Sequence, residues 1–228
     1  SVAVVIVYGI PWAADRLAPL VPVSVETRVG DSVKPQILSA LSGGAEAKIC
    51  RSEAGVAALK RLTGPMIAAV LIMRGLVDKV GNAEELAGVI AHEIGHVVHR
   101  DAMRGLLKSA GLSIVGGLVI GDFTGSTIAI AVGRNLIDAG YSREAESMAD
   151  AYATELMGRL GRDAAALGTA LERISADGPK LDGVLSWLST HPDTANRAAA
   201  LKRAAPTTPP AAPMLDAADW TALRAICR

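Results

Sequence analysis

The chain has 228 residues, enough to bury a sizeable core within one domain. Lys plus Arg and Asp plus Glu number 23 each, and no basic block occurs, which argues against a nucleic-acid partner. Half of the residues are hydrophobic but only 3% are aromatic, so Ala, Val, Leu and Ile have to fill the core.

The first element is an apolar run, Val2 to Ile10, followed by Pro11-Trp12. As a run it is too short to span a bilayer. It reads as the remnant of a membrane anchor with Trp12 at the interface, or as a strand. Val21 to Glu26 is less regular, and Asp31 to Leu41 is expected to open the globular part as a helix. The division that follows is an N-terminal segment over 1–24, a domain over 25–204, and a Pro-rich linker with a docking helix over 205–228.

The next clear helix start is Asn82-Ala83-Glu84-Glu85, with Asn82 as cap and acids in the first turn. Leu86, Val89, Ile90, Ile94, Val97 and Val98 recur at helical spacing, and the helix is expected to run to about Met103. Gly88 and Gly95 on it would let other backbones approach closely. This helix carries His92-Glu93-Ile94-Gly95-His96. Histidines four apart lie on one helical face and can reach one metal ion. Glu93, beside the first of them, is placed to take a proton from an attacking water. That is the geometry of a zinc peptidase. His99 falls on a different face and reads as a helix-surface residue.

Between Gly111 and Val132, apolar runs are broken by glycines and Asp122. They read as a helical hairpin, either a lid over the site or plain core filling. Tyr141 to Met157 starts another helix, on which Glu146 and Asp150 share a face. One of the pair can complete the metal shell while the other hydrogen-bonds a ligating imidazole. His191 precedes Pro192, which favours a loop at that point. Arg197 lies in the following helix, suited to donate to an oxyanion, to anchor a carboxylate, or to make an ordinary surface ion pair. The tail runs through a Pro/Ala/Thr linker to Asp216–Ile226, where Trp220, Leu223 and Ile226 form one stripe. Cys50 and Cys227 are the two cysteines; in an exported domain they point to a disulfide that ties the tail down.

Three stretches carry a resemblance to a known family. They are Ala91 to Val97, then Ser142-Arg143-Glu144-Ala145-Glu146-Ser147-Met148-Ala149-Asp150, then Leu188-Ser189-Thr190-His191-Pro192 with Arg197 beyond. In this order they resemble zinc metallopeptidase family forty-eight, which groups the HtpX-like, CAAX prenyl and soluble BepA-like endopeptidases. The S-T-H-P stretch points to the BepA-like branch. The resemblance covers about Val25 to Arg203. It implies an α+β, mostly helical zincin (gluzincin) domain with a small sheet beside the metal helix. It implies one Zn2+ on His92, His96 and Glu146, with Asp150 supporting a ligand and Glu93 as general base. It places His191 over the metal, either in the fourth position at rest or as an oxyanion donor. The family's strand pair before the metal helix is only partly matched: Arg74-Gly75-Leu76-Val77 is familial, but its Asn-Ala-Phe and Pro-Gly-Gly elements are absent from 62–77.

The function expected is a zinc endopeptidase acting on misfolded or unassembled proteins of the bacterial cell envelope. It would sit on the periplasmic side, with membrane attachment through the N-terminus. The alternative is a chaperone-like quality-control factor with latent proteolysis.

Overall fold

The computed structural model describes residues 2–41, 49–64, 66, 72, 74–120, 142–176, 191, 194–204 and 212–227. All regular structure among them is helical. The chain divides into two compact units, one of Ser1–Ala47 with Arg100–Tyr141, the other of Lys48–His99 with Ser142–Arg228.

Among the described residues the first unit holds three helices: α1 (Val2–Leu20), α2 (Val23–Leu41) and α6 (Asp101–Ile120). Helix continues through Pro11, which falls at the point where a π-helical turn over Val5–Gly9 gives way to the α-helical stretch Ile10–Leu17, so its missing N–H lies in the first turn of that stretch. The strand alternative for Val2 to Ile10 is thereby removed. The helical stretch is longer than the apolar run alone, and its 19 residues are long and apolar enough to cross a membrane by length and composition. Val2, Val4, Val7, Tyr8 and Trp12 on it are exposed. Its buried residues, Ile10, Ala14 and Ala18, recur every four positions and face α6, where Gly111 approaches Ile10. Asp15 pairs with Arg104 and Lys108 of α6. Helix α2 begins at Val23, earlier than the expected Asp31, and Glu26 on it pairs with Arg100.

The second unit is built around α5 (Ala83–Val98). The Asn82 side chain accepts from the Glu85 N–H at 2.9 Å, as the cap pattern predicts. Glu85 in turn accepts from the Gly81 N–H and pairs with Arg173, which explains how a charge can be almost fully buried there. The helix stops at Val98, short of Met103. Arg100 takes a left-handed φ of 59°, and a new helix starts at Asp101.

Leu86, Val89, Ile90 and Ile94 bury one stripe of α5 in a core shared with Met157, Leu167, Leu171 and Leu201. The flanking helices are α7 (Arg143–Arg159), α8 (Ala165–Ala176) and α9 (Thr194–Ala204). Glycine sets two of these contacts. A Cβ at Gly88 would lie 2.9 Å from the Leu167 backbone of α8, and one at Gly95 would lie 2.8 Å from Ala149 Cα of α7.

The sheet expected beside the metal helix is not found: among the described residues there is no strand, and the small-sheet part of the α+β reading is overturned. The familial Arg-Gly-Leu-Val stretch is instead the start of a helix, α4 (Arg74–Lys79). Its consecutive Leu76 and Val77 are both buried, and Arg74 pairs with Asp78 one helical turn on. Most of 65–73 lies outside the described residues. So do the second half of the expected hairpin (121–141), residues 189, 190 and 192 around His191, and most of the Pro-rich linker.

The tail folds back on the same unit. Helix α10 (Ala217–Arg224), capped by Asp216, packs on α3 (Glu53–Thr63), which is capped by Ser52. Leu223 is buried, Trp220 and Ile226 pack against the core, and Arg61 pairs with Asp219. A disulfide joins Cys50 to Cys227.

Candidate metal centre

Two helices and one loop residue build the site, all in the second unit. Helix α5 presents His92 and His96 from one face, one turn apart. Helix α7 starts at Ser142, whose hydroxyl accepts from the Ala145 N–H, and presents Glu146 and Asp150 from its first two turns. The close pass of Gly95 against Ala149 brings those turns together. His191 enters just ahead of α9.

His92, His96, Glu146 and His191 are all buried, and their ligand atoms lie within 4.8 Å of one another. His92 Nε2 lies 3.0 Å from His96 Nε2, 3.3 Å from His191 Nδ1 and 3.5 Å from Glu146 Oε2. Glu146 Oε1 is 3.5 Å from His96 Nε2 and 3.0 Å from His191 Nδ1. A tetrahedral ion with ligands about 2.05 Å away separates those ligands by about 3.3 Å. The separations just given, 3.0 to 3.5 Å, are close to that edge length, and imidazole with carboxylate is a donor set that zinc accepts. The residues fit a bound metal ion.

The surrounding contacts orient the donors. His92 Nδ1 lies 2.9 Å from Asp150 Oδ1, so it donates there and leaves Nε2 as the lone-pair nitrogen. Arg197 reaches from α9 to both carboxylates. Its Nε and one terminal nitrogen donate to Asp150 at 2.7 and 2.8 Å, and its other terminal nitrogen pairs with Glu146. This removes the surface ion-pair reading of Arg197, whose side chain is only 10% exposed. Glu93 projects from α5, half-buried, with Oε1 3.4 Å from His191 Nε2. His191 therefore lies between the metal donors and Glu93, one ring nitrogen toward each. His99 stands apart at the helix end, edge-on to Tyr152.

The charges follow from these contacts. Burial would raise Glu146, but its bonds to His191, His92 and His96 outweigh that and hold it well below the usual carboxylate range. Burial likewise opposes ionisation of Asp150, and the bonds from Arg197 and His92 overcome it, so its pKa is lowered. For His92, burial is outweighed by Asp150 and Glu146, and the pKa is raised. For His191, burial wins over Glu146, and the pKa is lowered. A neutral imidazole is the form that can bind a metal.

The sequence singles out each residue of this cluster, but not that one arginine holds both carboxylates, nor that His191 contacts Glu93. A tertiary contact between α7 and α9 decides the first, and no local spacing signals it.

Two histidines and a carboxylate on adjoining helices, with a glutamate beside the first histidine, define a metallopeptidase-type centre. Peptidase family M48 matches residues 64–205, and the chain belongs to that family. Among curated relatives, it is 28% identical over 135 residues to the mitochondrial metalloendopeptidase OMA1 of Arabidopsis thaliana (59% of this chain, 27% of that protein). It is 28% identical over 137 residues to the metalloprotease LoiP of Escherichia coli K12 (57% and 52%). It is 30% identical over 179 residues to a protease HtpX homolog of Desulfatibacillum aliphaticivorans (62% and 57%). The matches thus span about half the length of two of these relatives and about a quarter of the third.

Proposed function

We propose that this chain is a zinc-dependent endopeptidase that hydrolyses peptide bonds in misfolded or unassembled proteins of the bacterial cell envelope. The observation that carries the reading is the buried cluster of His92, His96, Glu146 and His191, with Glu93 alongside. A zinc ion on these donors supplies Lewis acidity toward the scissile carbonyl and toward water. Glu93 takes the proton of the attacking water and passes it to the leaving amine. His92 is held by Asp150 in the tautomer that ligation needs. The periplasmic, membrane-attached setting is supported by the apolar α1 and by a disulfide, which persists in oxidising compartments. The relatives' names, which include metalloendopeptidase and protease, support the chemistry.

A second reading has a specific observation behind it. His191 takes the fourth corner of the donor set and contacts Glu93, which favours a resting state with proteolysis latent, as in a chaperone-like factor that holds unfolded clients.

The test is metal content together with casein cleavage, in wild type, Glu93→Gln and Glu146→Ala. Glu93→Gln should keep one zinc and lose about a hundredfold or more in rate. Glu146→Ala should bind zinc more weakly. Full metal retention in Glu146→Ala, or full activity in Glu93→Gln, sinks the assignment. Client binding by wild type with no cleavage in any metal state supports the second reading.

A further inference from the structure

We propose that Arg197 is a positioning residue of the metal centre, locking Glu146 and Asp150 into ligating geometry, and not an oxyanion donor; this rests on the metallopeptidase reading above. Three nitrogens of the guanidinium are engaged on the two carboxylates. Nε and one terminal nitrogen grip both oxygens of Asp150 at 2.7 and 2.8 Å, and the other terminal nitrogen pairs with Glu146 Oε2. The fork is thus committed to the carboxylates, and the terminal nitrogen on Asp150 also lies 3.4 Å from His92 Nδ1 and 3.5 Å from His92 Nε2.

The backbone that carries the arginine is closely packed. Ala198 and Leu201 beside it are buried, and a Cβ at Gly168 of α8 would stand 2.8 Å from the Ala198 carbonyl oxygen. Arg197 is therefore carried by a helix seated on α8, while the residues it holds belong to α7. Its contacts fix the rotation of two carboxylates that must do different things: Glu146 has to offer an oxygen to the metal, and Asp150 has to accept from His92 Nδ1 at 2.9 Å.

Two buried anions one turn apart repel and are costly to desolvate unless a cation satisfies both. A lysine could supply the charge. It could not supply two parallel bonds to one carboxylate and a third to another, because an ammonium is a point donor without the planar fork.

The experiment measures zinc affinity by chelator competition, casein-peptide kcat and KM at saturating zinc, and melting of the metal-free protein, for wild type, Arg197→Ala and Arg197→Lys. Arg197→Ala is expected to weaken zinc binding by about 10- to 100-fold, the range for partners that orient metal ligands. Its KM should change little, and Arg197→Lys should recover only part of the affinity. Guanidinium ion added to Arg197→Ala should restore affinity, which a merely misfolded variant would not show. If Arg197→Ala does not fold, Arg197→Lys carries the test through the same affinity measurement. Wild-type zinc affinity in a folded variant overturns the proposal, as does a rate loss at saturating zinc with affinity intact, the mark of an oxyanion donor. Absence of zinc binding in wild type would instead overturn the metallopeptidase reading itself.

Discussion

Gly95 of the metal helix and Ala149 of the following helix stand so close that a Cβ on Gly95 would lie 2.8 Å from Ala149 Cα. This contact lies between His92 and His96 on one side and Glu146 and Asp150 on the other. It sets the distance across which two histidines and a carboxylate from separate helices can share an ion.

Gly95→Ala is expected to push α7 outward, because the obstructing atoms are backbone and cannot rotate away. Overpacking of this kind costs about 1–3 kcal/mol. Zinc affinity should fall along with the melting temperature. Gly105→Ala is the control, since nothing lies within 4 Å of a Cβ there. Unchanged metal affinity in Gly95→Ala would show that the helix spacing does not govern the site.

His191→Ala should raise proteolysis. His191 Nδ1 lies within the donor set, 3.0 Å from Glu146 and 3.3 Å from His92, at the corner that substrate and water need. If it holds that corner in nine molecules of ten, its removal raises the rate about tenfold. Rates are compared at saturating zinc. A fall of about ten- to a thousandfold would assign His191 to the oxyanion instead, and an unchanged rate eliminates both roles.

Reduction of Cys50–Cys227 should lower stability by about 2–5 kcal/mol, since the bond closes a loop across 177 residues. Denaturant titration with and without reductant measures this. The effect should be mimicked by Cys227→Ser. Two reactive thiols in unfolded, unreduced protein would refute the bond.

The metal-free protein should lose stability as pH falls below about 5, while His92 and His191, shifted in opposite directions, oppose each other around pH 6.5. Asp150 and Glu146 are lowered, so their contribution is present above the unfolded carboxylate range and is lost as pH falls through their folded values. His92 is raised, so its contribution is present in acid and is lost as pH rises through its folded value. Melting temperature against pH in EDTA tests the acid limb. Asp150→Asn should flatten the acid limb, and an acid limb identical to wild type would remove Asp150 from the account.

The candidate metal donors were legible from local pattern. Spacing by four puts His92 above His96 and Glu146 above Asp150, and cap residues Asn82 and Ser142 mark where both helices begin. Such signals are written within a single turn or two of helix, so they survive without knowledge of the fold. The α3–α10 clasp was half legible: the cysteines and the apolar stripe indicated docking, but not that Ile226 would rest on Gly55.

What stayed hidden depends on which elements meet. The expected sheet gave way to helix at Arg74–Lys79, because Leu76 and Val77 bury together on one face and a short apolar run does not itself choose between strand and helix. The grip of Arg197 on two carboxylates, the reach of His191 between the donors and Glu93, and the 2.8 Å constraint at Gly95 all join residues tens of positions apart. Local sequence determines which donors a helix can present. Only the packing of helices against one another decides how far apart those donors stand, because distance between elements is set by the side chains and backbones that collide at their contact.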